Sequence, residues 1–163
     1  MDLKELNRSA DADAEGLLLE CCGSRAWAAA VGARRPFPSL DALLAAADDV
    51  WRALPDADRG EAYAAHPRIG ERGEEGARSE REQAGVRGAA PAALDELADL
   101  NRAYEERFGR VFLICASGRS AEDVLAALRE RLGNAPAVEA AIAAEEQRRI
   151  TRLRLVAEVG GGG

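Results

Sequence analysis

His66 is the only histidine among the 163 residues, and therefore the only side chain whose unperturbed pKa lies near neutrality. Pro67 follows it, and a proline disfavours helical geometry at the residue before it, so a helix running through Tyr63 must stop there. The imidazole is then presented at a helix C-terminus, where the dipole favours its protonated form and the ring can donate a proton. A capping or core histidine is the plain alternative. The motif His66-Pro67-Arg68-Ile69-Gly70 does not by itself decide between the two.

Two further groups of residues could serve a small polar ligand. Ser79, Glu82 and Gln83 stand at i, i+3 and i+4, which on a helix face one side. A hydroxyl, a carboxylate and an amide converging there suit a ligand rich in N–H and C=O groups. A solvated helix face, with Arg78, Glu80 and Arg81 around it, is the competing reading. Near the C-terminus lie Arg148, Arg149, Arg152 and Arg154. At about 100° per residue, Arg154 falls about 40° from Ile150 and close to the apolar stripe, whereas Arg152 points about 200° away. Arg154 is thus the inward candidate, for a substrate anion or for an internal carboxylate. Arg152 reads as a solvated charge.

Other chemistries find no support. The glycines show no phosphate-binding spacing and the serines no nucleophile elbow. The three cysteines, with Cys21 and Cys22 adjacent and Cys115 remote, draw neither a disulfide framework nor, with one histidine, a zinc site. Free, mostly buried thiols are expected. Asp48-Asp49 and Glu74-Glu75 lack the alternating ligands of a calcium loop. The reading is therefore of no metal and no cofactor. A net charge of −7 and a pI near 4.9 argue against nucleic acid as partner. Apolar runs are too short to span a membrane, and the charged start Met1-Asp2-Leu3-Lys4-Glu5 is unlike a signal peptide, so a cytoplasmic setting is expected.

The elements that must position these groups are helices. Alanine, leucine, glutamate and arginine dominate, and Gly and Pro fall mostly between periodic segments. The spacing predicts helices over residues 12–22, from the cap Ser39 to Leu54, and from the cap Asp56 to near Ala65. Pro91 suits the first turn of a helix carrying Leu94, Leu97, Tyr104 and Phe108, with Gly109 ending it. Ser120 and Asp123 form a capping box for the next helix. Pro136 opens the last and longest, with Val138, Ile142, Ile150 and Leu153 as its apolar positions. Trp27 and Trp51 read as core. The run Val111-Phe112-Leu113-Ile114-Cys115-Ala116 fits a buried strand or a buried helix turn, and with no partner strand in sight it is expected to be helical or irregular. Residues 70–78 read as a surface loop and 160–163 as a flexible glycine tail after one compact all-α domain of about seven or eight helices over 1–159.

Taken in order, the motifs resemble a known family. Leu6-Asn7, Cys22-Gly23-Ser24-Arg25-Ala26-Trp27, Arg35-Pro36-Phe37 and Ala65-His66-Pro67-Arg68-Ile69-Gly70-Glu71 are similar to the N-terminal half of the 2-oxo-4-hydroxy-4-carboxy-5-ureidoimidazoline (OHCU) decarboxylases. The second half follows with Ser79-x-x-Glu82-Gln83-Ala84-Gly85, Asn101-x-x-Tyr104-x-x-x-Phe108-Gly109, Arg131-Leu132-x-Asn134 and Arg149-Ile150-x-x-Leu153-Arg154-Leu155. The resemblance implies an all-α fold, a homodimer, and cofactor-independent loss of carbon dioxide from OHCU to give (S)-allantoin in urate breakdown. It also implies that His66 is catalytic with Pro67 beside the ligand, and that Ser79, Glu82 and Gln83 bind substrate. By the same resemblance residues 114–118, from Ile114 to Gly118, are expected to line the pocket and Arg154 to hold the substrate's anionic part; a shift of two residues would select Arg152 instead. Glu82 near His66 would favour the protonated ring. His66 is followed by Arg-Ile-Gly where many members show Asp-Leu, which leaves the role of Arg68 open. A non-catalytic helical interaction module and a different small-acid lyase are the competing readings. The decarboxylase reading requires His66, Glu82 and Arg154 to line one enclosed cavity.

Overall fold

Side-chain caps fix where four of the helices begin. Asp2 opens α1 (Leu3–Arg8) with a capping box to Glu5. Ser24 and Ser39 accept from the Trp27 and Ala42 N–H groups to open α3 (Arg25–Gly32) and α4 (Leu40–Ala53). Ser120 and Asp123 cap each other's backbone at the start of α8 (Ala121–Leu132). Proline stands in the first turn of α7 (Pro91–Phe108) and opens α9 (Pro136–Val159), where its missing N–H has no helical partner to lose. The remaining helices are α2 (Asp11–Cys21), α5 (Asp56–Ala64) and the single turn α6 (Ala84–Arg87). The computed structural model describes residues 1–70 and 81–161, and among these nine helices and no strand are found. That is slightly more than the seven or eight expected, because α1, α3 and α6 are short pieces fixed by caps and packing rather than by a long apolar period. The expected loop beyond Gly70 and the end of the glycine tail lie outside the described residues. No described helix is long and apolar enough to cross a membrane.

The helices group into two compact units, Met1–Ala62 with Gln147–Gly163, and Tyr63–Glu146. In the first, Trp27 is fully buried and its indole N–H donates to the Ala47 carbonyl at 3.1 Å, joining α3 to α4. Trp51 is buried as well, as are Cys21 and Cys22. Asn7 and the Phe37 backbone bond reciprocally, 2.8 Å each way. Arg35 donates to the Leu6 and Ser9 carbonyls at 2.7 and 2.9 Å, occupying acceptors that the end of α1 leaves orphaned. The recurring Leu6-Asn7 and Arg35-Pro36-Phe37 motifs are therefore architectural.

The second unit packs α6, α7 and α8 around Ile69, Val86, Leu97, Tyr104, Phe112, Ile114 and Leu128. Residues 111–116 carry neither helix nor strand, so the irregular option is the one realised. Phe112, Leu113 and Ile114 are nonetheless buried, and a buried backbone needs partners. Arg131 supplies one, donating to the Leu113 carbonyl at 2.8 Å. Its charge is matched inside the unit by Glu139, which is fully buried and also accepts from the Tyr104 hydroxyl at 2.6 Å and from Asn134 at 3.1 Å.

The last helix departs from expectation in its apolar face. Ile150 is buried, but Val138 and Leu153 are about half exposed, at 52% and 49%. The inward positions include Glu139, Glu146, Gln147 and Thr151 instead. These polar groups find partners in the interior, so the buried stripe of α9 cannot be found by hydrophobicity alone.

Removing one member of a buried ion pair leaves the other uncompensated, so Arg131→Ala should lower stability by about 3–5 kcal/mol in urea denaturation. Burial would raise the Glu139 carboxyl, but the hydrogen bonds from Arg131, Tyr104 and Asn134 outweigh it and hold its pKa below the ordinary value. A depressed carboxyl contributes stability above its unfolded pKa, and that contribution is lost as pH falls through the folded value. Burial, and then the bond to Glu139, push the Tyr104 phenol up to about 12. A raised phenol favours the fold below its ordinary pKa and loses that effect as pH rises through about 12. Stability followed against pH should therefore fall at both extremes, and Tyr104→Phe should flatten the alkaline fall.

Candidate active site

His66 sits two residues past the end of α5. Its N–H donates to the Tyr63 carbonyl at 3.2 Å, and the chain turns there as Pro67 requires. The ring is half-buried. The residues that follow are tied down individually: Asn101, buried in α7, donates from its amide to the Ile69 carbonyl at 3.1 Å. Gly70 N–H donates to Gln83 Oε1 at 3.0 Å. Arg68, whose role the sequence leaves open, pairs with Glu105 of α7 at 2.8 Å. A cleft of about 400 Å³ borders this loop, lined by Arg68, Gly70, Leu94, Asn101 and Arg102.

Gln83 is thus brought to the loop that carries His66, and Glu82, half-buried, is carried with it. The charge of Glu82 also acts on Cys115. The thiol of Cys115 is raised above its usual pKa by burial first, then by Glu146 and, more weakly, by Glu82. The short helix α6 is held against the same stretch by a close approach at Gly85. A Cβ there would stand 2.1 Å from the Arg119 carbonyl oxygen, a backbone atom with no freedom to yield. Ile114 is buried, and the stretch ends in a turn closed by the Arg119 N–H to the Ala116 carbonyl at 3.0 Å. Gly118, at φ 76°, takes the third position of that turn, where a type II turn demands positive φ. Ser79 lies outside the described residues.

Arg154 belongs to the first unit. It is half-buried, and its charge acts on Cys22, whose thiol is pushed up to about 11 by burial despite the lowering effects of Thr151, the Ser24 backbone and Arg154. Arg152 is not the solvated charge its helical angle suggests. It donates to Asp48 at 2.9 Å, and Arg148 joins the same carboxylate at 3.1 Å. The acceptor comes from α4, a hundred residues away in sequence, which helical geometry within α9 cannot foresee.

The motifs give no sign of two buried carboxylates: Glu139, which pairs with the Arg131 side chain, and Glu146, which accepts from the Cys115 N–H at 2.9 Å. Asn101 and Tyr104 were noticed as motif members, but their partners were not. Their spacing on one face of α7 was the available signal; what they bind could come only from the fold.

The described fold is all-α, and the loop after α5 is held through its backbone by Asn101 and Gln83. Residues 7–156 match the family model described as OHCU decarboxylase. The chain is 40% identical over 142 residues to the uric acid degradation bifunctional protein TTL of Arabidopsis thaliana, covering 83% of this chain but 44% of that protein. It is 38% identical to the OHCU decarboxylase of Amia calva, over 78% of this chain and 77% of the relative. A solved structure of an OHCU decarboxylase in the presence of (S)-allantoin is 35% identical, with a TM-score of 0.79 over 91% of this chain and 97% of that one. The chain belongs to the OHCU decarboxylase family and is a carboxy-lyase.

The close approach at residue 85 gives a direct test. Gly85→Ala should force α6 away from Arg119 and destabilise the protein by about 1–3 kcal/mol, measured by thermal or urea unfolding.

Proposed function

We propose that this chain removes carbon dioxide from OHCU to give (S)-allantoin in urate breakdown. The observation that carries the reading is the match, along nearly the whole chain, to a decarboxylase solved in the presence of (S)-allantoin. The chemistry asks little of the protein beyond placement. In OHCU the carboxylate sits on a ring carbon flanked by electron-withdrawing groups. When the bond to carbon dioxide breaks, its electron pair is taken up by the conjugated ring, and a proton must then reach one face of that carbon. Orientation of the carboxylate and delivery of the proton are tasks of positioning and general acid catalysis.

In this reading His66 delivers the proton, with Pro67 shaping the ligand's side of the loop. Glu82 accepts from ureido or ring N–H groups, and Gln83 and Ser79 complete the polar cluster. Ile114 and Gly118 bound the stretch that lines the pocket. Arg154 holds the anion, while Arg152 serves Asp48. The tie from Gln83 to Gly70 supports placing the amide beside the histidine loop. Homodimerisation, a cytoplasmic setting and the absence of any cofactor complete the proposal.

The substrate is unstable and is best generated in place from urate by urate oxidase and hydroxyisourate hydrolase. Uncatalysed decay gives racemic allantoin, so a circular dichroism signal that develops only with this protein supports the reading. His66→Ala should reduce the rate of that signal by about 10²-fold or more while the fold is retained. A His66→Ala protein with full activity would refute the assignment.

A further inference from the structure

A buried carboxylate is tolerated only where donors meet its oxygens, so the groups that it accepts from are held in place in turn. Glu146 is 8% exposed, in α9, and its Oε2 accepts from the Cys115 N–H at 2.9 Å. Two residues earlier in the same run, the Leu113 carbonyl accepts from Arg131. In a sheet, the carbonyl of one residue and the N–H two residues on are met by a neighbouring strand. Here a guanidinium and a carboxylate from two helices supply that donor and acceptor. The residues so held are those that end at the Gly118 turn, with Gly85 packed on Arg119 and Glu82 close by.

We propose that Glu146 is a positioning residue of the decarboxylase: by accepting the Cys115 N–H it fixes the stretch 114–118 beside Glu82, in the conformation that receives the substrate. The inference rests on the reading that 114–118 lines the pocket. Glu146 need not touch the substrate. A backbone wall that contacts ground state and transition state alike contributes uniform binding, so loosening it should act on KM more than on kcat. The bond to an ionised acceptor is also stronger than one to a neutral group, which suits a carboxylate for holding an irregular run.

Three variants of the full chain separate this from a merely structural role. Glu146→Ala removes the acceptor. Glu146→Asp keeps the charge but draws the oxygen back by one methylene, and stands in should the alanine variant fail to fold. Glu146→Gln keeps an oxygen acceptor at full length. Initial rates of the dichroism signal are measured while the concentration of freshly generated OHCU is varied. Alanine and aspartate should raise KM by about tenfold with kcat within about threefold of wild type, whereas glutamine should stay within about threefold in both. Wild-type KM in the aspartate or alanine variant, or equal losses in all three, would overturn the positioning role while leaving the activity itself established. No optical signal from the wild-type chain would instead overturn the decarboxylase reading, and this inference with it.

Discussion

A buried stretch of chain that belongs to no helix and no sheet must have its backbone polar groups answered by side chains, and the second unit is arranged around that requirement. Residues 111–116 pass through the core with Phe112, Leu113 and Ile114 shielded from water. Arg131 reaches the Leu113 carbonyl, and Glu146 takes the Cys115 N–H. Once a guanidinium is buried for this purpose, its own charge must be matched. Glu139 meets it, and Tyr104 and Asn134 fill that carboxylate's remaining positions. One irregular run thus accounts for a set of polar residues spread over α7, α8 and α9.

The loop after α5 follows the same logic. It carries the histidine, and it is fixed through its backbone by Asn101 at Ile69 and by Gln83 at Gly70. Both bonds act on the backbone of the loop rather than on the imidazole. Gly85 completes the arrangement from the other side, because only a residue without Cβ allows α6 to lie against Arg119. The result is a single helical turn that packs on Arg119 and is preceded by the Gln83 that meets the histidine loop. Such rigidity matters when the substrate itself takes up the electron pair and the protein's contribution is placement.

Much of this was open to inspection in the primary structure. The all-α class, the caps at Ser39 and Ser120, the helix starts at Pro91 and Pro136, and the break forced at His66-Pro67 follow from local rules and were found where expected. Those rules act within a few residues, so one strand of sequence contains everything they need. The family, too, could be recognised, because the order of short motifs survives where no single motif is specific. Gln83 accepts from the Gly70 N–H, a pairing that no local rule gives.

What the sequence could not determine is which polar residues face inward and what they meet there. Arg152 looked solvated from its helical angle and proved tied to Asp48, and the apolar Val138 and Leu153 are half exposed. Glu139 and Glu146 carried no visible signal, although both are interior. The physical reason is common to all. Hydrophobic periodicity reports the favourable transfer of apolar groups, whereas a buried charge is tolerated only when distant residues supply its partners. Local propensity and pattern fix the helices one by one. Only the tertiary structure brings Leu113 to Arg131, Cys115 to Glu146 and Gly70 to Gln83, pairings across 18, 31 and 13 residues that no local rule encodes.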